Sequence, residues 1–244
     1  MLSFETVRTA WERLRSEVAR FPGVRIVAVT KYLRNDALLA QLAGAGIRDL
    51  GESYAQELQR KHAVLSGAQP GWNAYRWHFI GHLQSNKVRK VVPLVDMIQS
   101  VDSPELFARI EAEAARTGRR IDCLLELKVS NEATKYGIVP DALPGVLERI
   151  IAMQPRYATV CGLMCMAPLT ASPAESRPYF RAARRAFDDV RARYAALSDF
   201  TILSMGMSGD FREALEEGAT MIRVGGILFH TAESSSPDAG MVRA

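Results

Sequence analysis

Short apolar runs alternate with amphipathic segments along almost the whole chain. The β-branched run at 25–31 predicts a buried strand, and apolar residues at helical spacing predict helices at 3–20 and 35–45. The same alternation predicts seven further strands, at 47–51, 77–81, 97–101, 121–129, 157–164, 201–204 and 220–224. The helices predicted between these strands lie at 54–65, 84–94, 103–116, 140–153, 173–197 and 209–217.

Strict alternation of strands and helices is typical of parallel βαβ units. Eight such units in 244 residues predict an α/β fold, namely a single closed (β/α)8 barrel of the TIM type with an extra N-terminal helix. A doubly wound open sheet is the alternative architecture. We expect one domain over residues 1–232 and a flexible C-terminal tail over 233–244, where serine, proline and glycine interrupt the apolar pattern.

The composition narrows the class of protein. Hydrophobic residues make up 48% and charged residues 24%, which excludes a disordered or collagen-like chain. The net charge of +4 is spread along the sequence, so nucleic-acid binding is permitted but not required. The apolar runs fall well short of the about 20 residues of a membrane span, and the N-terminus lacks a signal or transit peptide pattern. Three cysteines among apolar neighbours predict buried thiols, and together these features predict a cytoplasmic protein.

The first strand ends in a lysine, and functional residues of barrels gather at the carboxyl ends of strands. Lys31 directly follows the run IVAVT at 26–30. A lysine held between apolar walls and cationic neighbours is more often neutral and nucleophilic, as a Schiff base requires. The alternative is an ordinary strand-end lysine that extends to water, which position alone favours.

Two glycine-containing segments follow the seventh and eighth strands, at 204–208 and 223–226. Backbone N–H groups freed by glycine, a hydroxyl and a helix N-terminus together can hold a phosphate. Phosphate sites of barrels commonly lie after these two strands, although neither segment fits a Walker A motif or a dinucleotide fingerprint. A pair of ordinary tight turns is the open alternative.

An amine after the first strand and a phosphate cradle after the last two indicate pyridoxal phosphate. Its aldehyde would condense with Lys31, and Arg223 at the end of the eighth strand would reach the pyridine nitrogen. A permanently charged arginine there keeps that nitrogen unprotonated and weakens the ring as an electron sink. A structural ion pair in the barrel mouth is the alternative role for Arg223.

The chain resembles the pyridoxal phosphate homeostasis family over about residues 3–230. Seven stretches carry the resemblance in this order: VAVTK at 27–31, GESYAQE at 51–57, WHFIGHLQSNK at 77–87, SVDS at 100–103, GLMCMAP at 162–168, SMGMSGD at 204–210 and MIRVG at 221–225. Each stretch alone is weak evidence, and the ordered set is highly specific.

The resemblance implies a barrel like the N-terminal domain of alanine racemase. It implies pyridoxal phosphate bound to Lys31 as a Schiff base, with Arg223 near the ring nitrogen and with the phosphate around Ser208, Gly225, Gly226 and Ser204; Ser53 and Met205 complete the cofactor-binding set. It also implies a cytosolic, monomeric protein that binds, buffers or delivers the cofactor within vitamin B6 homeostasis, without strong turnover. Apo-enzymes that depend on the cofactor are the implied partners.

Two positions depart from the family pattern. Ser53 stands where the family usually has asparagine, which puts a direct side-chain contact to the ring in doubt. Gly226 stands where the family usually has threonine, so a hydroxyl is missing from the phosphate cradle. One lost neutral hydrogen bond is worth roughly 1 kcal/mol, so we expect somewhat weaker binding and not its loss.

Other functions remain as alternatives. A weak amino-acid racemase or lyase would need a second acid/base opposite Lys31, for which Tyr54, His82 or Tyr136 are candidates. A nucleic-acid binder would use the basic helix face of Lys87, Arg89 and Lys90, for which a solvated surface is the simpler interpretation. Lys128 and Lys135 are weak candidates for a second cofactor site, and no metal site is expected, because Cys161 and Cys165, four apart on one strand face, lack a histidine at ligand spacing.

Overall fold

Eight parallel strands close into a barrel in the computed structural model of the chain, and β8 pairs back onto β1. The structure describes residues 2–31, 33–68, 75–130, 136–168 and 172–229. The strands are β1 (Arg25–Val29), β2 (Asp49–Glu52), β3 (Arg76–Phe79), β4 (Met97–Val101), β5 (Ile121–Leu127), β6 (Ala158–Cys165), β7 (Ile202–Ser204) and β8 (Met221–Val224). This closed order confirms the predicted (β/α)8 barrel and excludes the doubly wound sheet.

Helices follow the strands as the sequence predicts, with differences at their ends. They are α1 (Phe4–Val18), α2 (Asp36–Gln41), α3 (Ala55–Ala68), α4 (Val88–Val91), α5 (Pro104–Thr117), α6 (Leu143–Ala152), α7 (Arg177–Arg193), α8 (Phe211–Glu216) and α9 (Gly226–Phe229). The helix predicted at 84–94 is only the short α4 between two 3-10 turns, because Pro93 cannot continue an α-helix. The short α9 directly after β8 was not predicted.

The extra N-terminal helix is present as predicted. Ser3 caps α1, since its side chain accepts a hydrogen bond from the Thr6 backbone N–H. One face of the helix is buried and consists of Val7, Trp11, Leu14 and Val18. Their spacing of three and four residues places all four on the side that packs against the rest of the protein.

Alternate residues of the strands face the barrel interior, and this alternation decides which side chains can reach the mouth. One small apolar cluster fills the interior and consists of Val27, Met97, Leu124, Cys161, Met164 and Met221. A much larger cluster lies between the barrel and its helices and includes Ala28, Leu50, Ile98, Leu125, Leu203 and Val224. Polar residues at inward positions are therefore unusual and locate functional groups.

A bulge in β6 changes the direction of its side chains. Cys123 pairs with Val160 and Leu124 with Gly162, so Cys161 is an extra residue on β6. Gly162 has a φ of 153°, and a Cβ there would lie 1.8 Å from the carbonyl oxygen of Ile202. As a result Cys161 faces the interior and Cys165 faces the helices, so the prediction that the two cysteines share a face is wrong.

Candidate functional site

The carboxyl ends of β8, β1 and β2 lie side by side at one rim of the barrel. In the strand register Ala28 of β1 lies opposite Val224 of β8, and Val29 lies opposite Gly51 of β2. The pairing of β1 with β2 continues to the Thr30 N–H, which donates to the Gly51 carbonyl oxygen at 3.0 Å, and Lys31 follows directly at this rim. Three segments predicted from the sequence are thus neighbours at the end of the barrel where barrel enzymes bind their ligands.

Lys31 follows the end of β1. Val27 faces the interior cluster and Ala28 the helices, and the half-buried Lys31 comes in the turn that begins at Thr30, whose carbonyl oxygen accepts from the Leu33 N–H. The preceding Thr30 points outward, where its carbonyl oxygen accepts a hydrogen bond of 2.5 Å from Lys61 Nζ. The same ammonium pairs with Glu52 at 2.5 Å, and both side chains are fully buried. This ion pair holds the backbone directly before Lys31.

Two backbone N–H groups converge on the Ser208 hydroxyl after β8. Gly225 N donates to Ser208 Oγ at 3.2 Å, and Ile227 N donates to the same oxygen at 3.4 Å. N–H groups aimed at one point beside a hydroxyl form a nest that can bind an anionic oxygen. A Cβ at position 225 would lie 2.8 Å from the Val29 carbonyl oxygen, so the close approach of β8 to β1 requires glycine here. Gly226 follows at the first residue of α9.

Arg223 is buried just below this nest, with 4% of its surface exposed. Its Nη1 donates to Ser204 Oγ at 2.7 Å, and its Nη2 donates to the carbonyl oxygen of Cys165 at 2.9 Å. Burial lowers the pKa of Arg223, while the neighbouring Cys165, Glu126 and Asp210 raise it. Because an arginine side chain stays protonated in proteins, the mouth carries a fixed positive charge.

Ser204 and Met205 occupy different places from those predicted. Ser204 is fully buried, and its hydroxyl donates to Gln99 Oε1 at 2.7 Å while it accepts from Arg223. It therefore supports the guanidinium rather than the phosphate cradle. Met205 is fully buried in the cluster between barrel and helices. Its side chain lies on the side of the helices and not in the interior cluster.

Ser53 lies at the edge of a shallow groove of about 260 Å³ over the ends of β2 and β3. Tyr54, His82 and Lys87 line the same groove. A Cβ at Gly81 would lie 2.1 Å from the Ser53 carbonyl oxygen, so a glycine is needed for β3 to leave the barrel here. Ser53 therefore shares a groove with Lys87 and Lys90 of the predicted basic helix face.

The sequence analysis did not identify Glu126, an inward carboxyl of β5 that is 6% exposed. Burial raises the pKa of Glu126 to about 7, the charge of Asp102 adds to this, and Arg223 opposes it. The signal in the sequence is the position of Glu126 in the strand IDCLLEL at 121–127, two residues after Leu124, which faces the interior.

Replacing Glu126 by glutamine should stabilise the protein at alkaline pH and not at acid pH. A pKa raised from 4.5 to about 7 means that the folded protein binds a proton more tightly than the unfolded chain, so stability falls as pH rises through this window. The Glu126→Gln variant should match wild type near pH 4.5 and exceed it by roughly 3 kcal/mol above pH 7. Urea unfolding at both pH values measures this, with the exposed Glu12→Gln as control. Equal stability of variant and wild type above pH 7 would contradict it.

The remaining sequence predictions fall in three groups. The thiols Cys123, Cys161 and Cys165 are all free and buried, as predicted, and burial raises the pKa of each. Lys128 lies half-buried directly after β5, and its backbone N–H donates to the Ile138 carbonyl oxygen at 2.8 Å. Lys135 and the predicted tail at 233–244 lie outside the described residues.

The described ranges contain neither a candidate metal centre nor a helix that could span a membrane. Within residues 2–31, 33–68, 75–130, 136–168 and 172–229, no group of three or more histidine, cysteine, aspartate or glutamate side chains is placed to hold a metal ion. In the same part of the chain, none of the helices has the length and apolar character needed to cross a membrane.

Comparison with known proteins agrees with this architecture. Residues 3–233 match the alanine racemase N-terminal domain family. The pyridoxal phosphate homeostasis protein of Synechocystis is 38% identical over 208 residues, which cover 85% of this chain and 91% of the relative. The protein of the same name from Deinococcus radiodurans is 35% identical over 93% of this chain and 100% of the relative. The structure of PipY from Synechococcus elongatus with pyridoxal phosphate bound has a TM-score of 0.81 at 35% identity, over 92% of this chain and all of PipY. The chain therefore belongs to the alanine racemase N-terminal domain family and, within it, to the pyridoxal phosphate homeostasis proteins.

Proposed function

We propose that the protein binds pyridoxal phosphate at the rim formed by β8, β1 and β2 and serves intracellular vitamin B6 homeostasis by binding, buffering or delivering it. The observation that carries the proposal is the convergence of the Gly225 and Ile227 N–H groups on Ser208 after β8, the strand that pairs with β1, which Lys31 follows. An amine and an anion nest on adjacent strands match the two ends of this cofactor. The relatives that share the name, and PipY with the cofactor bound, support the proposal.

The residues present fit this group. Ser208 and the two N–H groups would hold the phosphate, and Gly226 adds only its backbone N–H. Lys31 would hold the aldehyde carbon, while Arg223 supplies a fixed cation below the nest. When bound, pyridoxal phosphate supplies an aldehyde that condenses with an amine and a ring that withdraws electrons. Ser53 borders the mouth from β2.

Arg223 favours binding over turnover. A guanidinium beside the ring nitrogen keeps that nitrogen unprotonated, because two positive charges at this distance repel each other. The ring is then a weak electron sink, and carbanion chemistry gains little. Arg223 can hold this role because Ser204 and the Cys165 carbonyl fix its position from the barrel side.

A weak racemase or lyase is the second candidate, and one observation favours it. The His82 ring stacks on Tyr136 with centroids 3.7 Å apart and planes at 13°, and His82 Nδ1 lies 3.7 Å from an Asp102 oxygen. These are acid/base groups at the rim, two strands from Lys31. Incubation with L-alanine followed by chiral chromatography tests the candidate. Slight or no turnover is expected, and robust racemisation would replace buffering as the main function.

The organisation of the protein forms part of the proposal. A single domain over residues 1–232 carries the site, and the protein acts in the cytoplasm as a monomer. The described core, closed by the pairing of β8 with β1, supports a barrel that is complete in one chain. Apo-enzymes that need the cofactor are the proposed recipients, which an exposed mouth would suit.

Addition of pyridoxal phosphate to the purified protein tests the proposed function. We expect a visible absorption band that is absent from the free protein and that saturates at one equivalent of cofactor. Free pyridoxal phosphate mixed with an unrelated lysine-rich protein gives the background. A protein that stays colourless in excess cofactor would contradict the proposal.

Restoring the missing hydroxyl at Gly226 should tighten cofactor binding. The Gly226→Thr variant adds one neutral hydrogen bond to the phosphate, worth about 1 kcal/mol, or roughly fivefold in Kd. Titration followed by the visible band measures the change. Gly145→Thr is the matched control, because position 145 is exposed on α6 and a Cβ there meets no atom within 4 Å. Binding that is no tighter in Gly226→Thr would contradict the role of this position.

A further inference from the structure

We infer that Gln99, His78 and Asp49 are positioning residues for Arg223, because with Ser204 they form one hydrogen-bonded chain through the barrel interior that fixes the guanidinium. None of the three belongs to the predicted site. The inference rests on the proposed function, which places Arg223 beside the cofactor ring.

This hydrogen-bonded chain crosses the barrel from β2 to β8 in four contacts. Asp49 Oδ1 lies 2.8 Å from His78 Nε2, and His78 Nδ1 lies 3.1 Å from Gln99 Nε2. The other end of the Gln99 amide accepts from Ser204 Oγ at 2.7 Å, and Ser204 Oγ accepts from Arg223 Nη1 at 2.7 Å. Each contact has the length of a normal hydrogen bond. Arg25 Nη2 donates to the outer end of the chain at Asp49, at 3.0 Å.

The charges at its two ends set the direction of every hydrogen bond. An arginine can only donate, so Ser204 accepts from Arg223 and must give its own proton to Gln99 Oε1. The amide nitrogen of Gln99 then donates to His78 Nδ1, which leaves the ring proton on Nε2, facing the Asp49 carboxylate. Burial lowers the pKa of His78 while Asp49 opposes this, and Arg25 and Arg76 lower it further, so a neutral ring fits this arrangement. One arrangement of protons therefore satisfies the whole chain.

Burial gives the chain its rigidity. His78, Gln99 and Ser204 are fully buried at inward positions of β3, β4 and β7. Neighbouring inward positions include apolar residues, of which Met97 and Leu124 are examples. An interior built only for stability would be filled by branched apolar residues, since a buried polar group costs free energy unless it is bonded. A fully bonded polar chain that ends on the guanidinium indicates that its purpose is to orient Arg223.

The hydrogen-bonded chain also limits the rotation of the Arg223 guanidinium. Two of its nitrogen atoms are held from the barrel side, one by Ser204 and one by the Cys165 carbonyl. Without Gln99 the Ser204 hydroxyl is free to rotate, and the guanidinium loses its fixed acceptor. Its distance to the ring nitrogen would then vary, and with it the affinity and the protonation of the bound cofactor.

The test compares wild type with Gln99→Leu, which removes the hydrogen bonds of Gln99 to His78 and to Ser204 and leaves a side chain of similar volume. Met97→Leu is the matched control, because it lies on the same strand, faces the same interior and is also fully buried. We expect Gln99→Leu to bind pyridoxal phosphate about tenfold more weakly, because the Ser204 hydroxyl then no longer holds the guanidinium in one position. Its visible band should titrate with a midpoint displaced by about one pH unit toward that of Arg223→Met. Met97→Leu should match wild type in its affinity for pyridoxal phosphate and in the pH midpoint of the visible band.

A second readout uses the protein without cofactor. Nitrogen-15 NMR of His78 at neutral pH should show a neutral ring protonated on Nε2 in wild type, and a changed tautomer signal in Gln99→Leu. A wild-type pH profile and affinity in Gln99→Leu, with both altered in Arg223→Met, would overturn the inference. If wild type gains no visible band, the proposed function fails and the positioning role fails with it. The NMR result then shows whether the hydrogen-bonded chain from Asp49 to Arg223 exists as a purely structural feature.

Discussion

The Lys31→Ala variant is expected to stay colourless when pyridoxal phosphate is added, while wild type turns yellow. Lys31 directly follows β1, which lies between β2 and β8, so we expect its amine to share the rim with the anion nest. Without this amine the aldehyde has no covalent partner at the site. The phosphate contacts at Ser208 remain, but they hold the cofactor only by hydrogen bonds.

The matched control for this prediction is Lys128→Ala. Lys128 also follows a barrel strand and is half-buried, as Lys31 is, but it lies after β5 on the far side of the mouth. It should keep the visible band at wild-type intensity. A band that is retained in Lys31→Ala and lost in Lys128→Ala would contradict the prediction. It would show that the cofactor binds to the lysine after β5 and not to the lysine after β1.

The Lys61→Met variant should lose roughly 3–5 kcal/mol of unfolding free energy, the largest stability effect that we expect from one substitution. Lys61 and Glu52 are fully buried, and the ammonium lies 2.5 Å both from the Glu52 carboxylate and from the Thr30 carbonyl oxygen. Methionine preserves the packing but leaves the carboxylate buried with only the Thr30 hydroxyl as a donor, at 2.5 Å. Removal of one partner of a buried pair is costly because the remaining charge stays unpaired.

Urea unfolding of the free protein measures this effect. The double variant Lys61→Met with Glu52→Gln removes the charge as well, and it should recover a good part of the loss. Lys90→Met is the control on an exposed helix face and should stay within about 0.5 kcal/mol of wild type. A Lys61→Met variant within 1 kcal/mol of wild type would show that the pair contributes little to the fold.

Most of the fold could be predicted because the alternation of strands and helices is regular. All eight strands lie where apolar runs predict them, with ends displaced by no more than a few residues. The errors have local causes. Pro93 shortens the helix predicted at 84–94. The bulge at Cys161 reverses the faces to which the following side chains of β6 point, and the spacing of residues alone does not show this.

The site could be predicted less completely, because a sequence does not show which strands are close in space. Ser208 and Gly225 come together after β8, and β8 pairs with β1, the strand that Lys31 follows. Met205 was assigned by its place in a motif, although alternation turns its side chain away. Gln99 has a partner 105 residues away in the chain, so only the closed barrel reveals its role.

The most direct test of the central claim is to reduce the complex with borohydride and map the modified residue by peptide mass spectrometry. Reduction fixes the cofactor to whichever amine carries it, so the result is a residue number. The account predicts one pyridoxyl group per chain, located on Lys31. A label on another lysine, or no label from a protein incubated with excess pyridoxal phosphate, would contradict it.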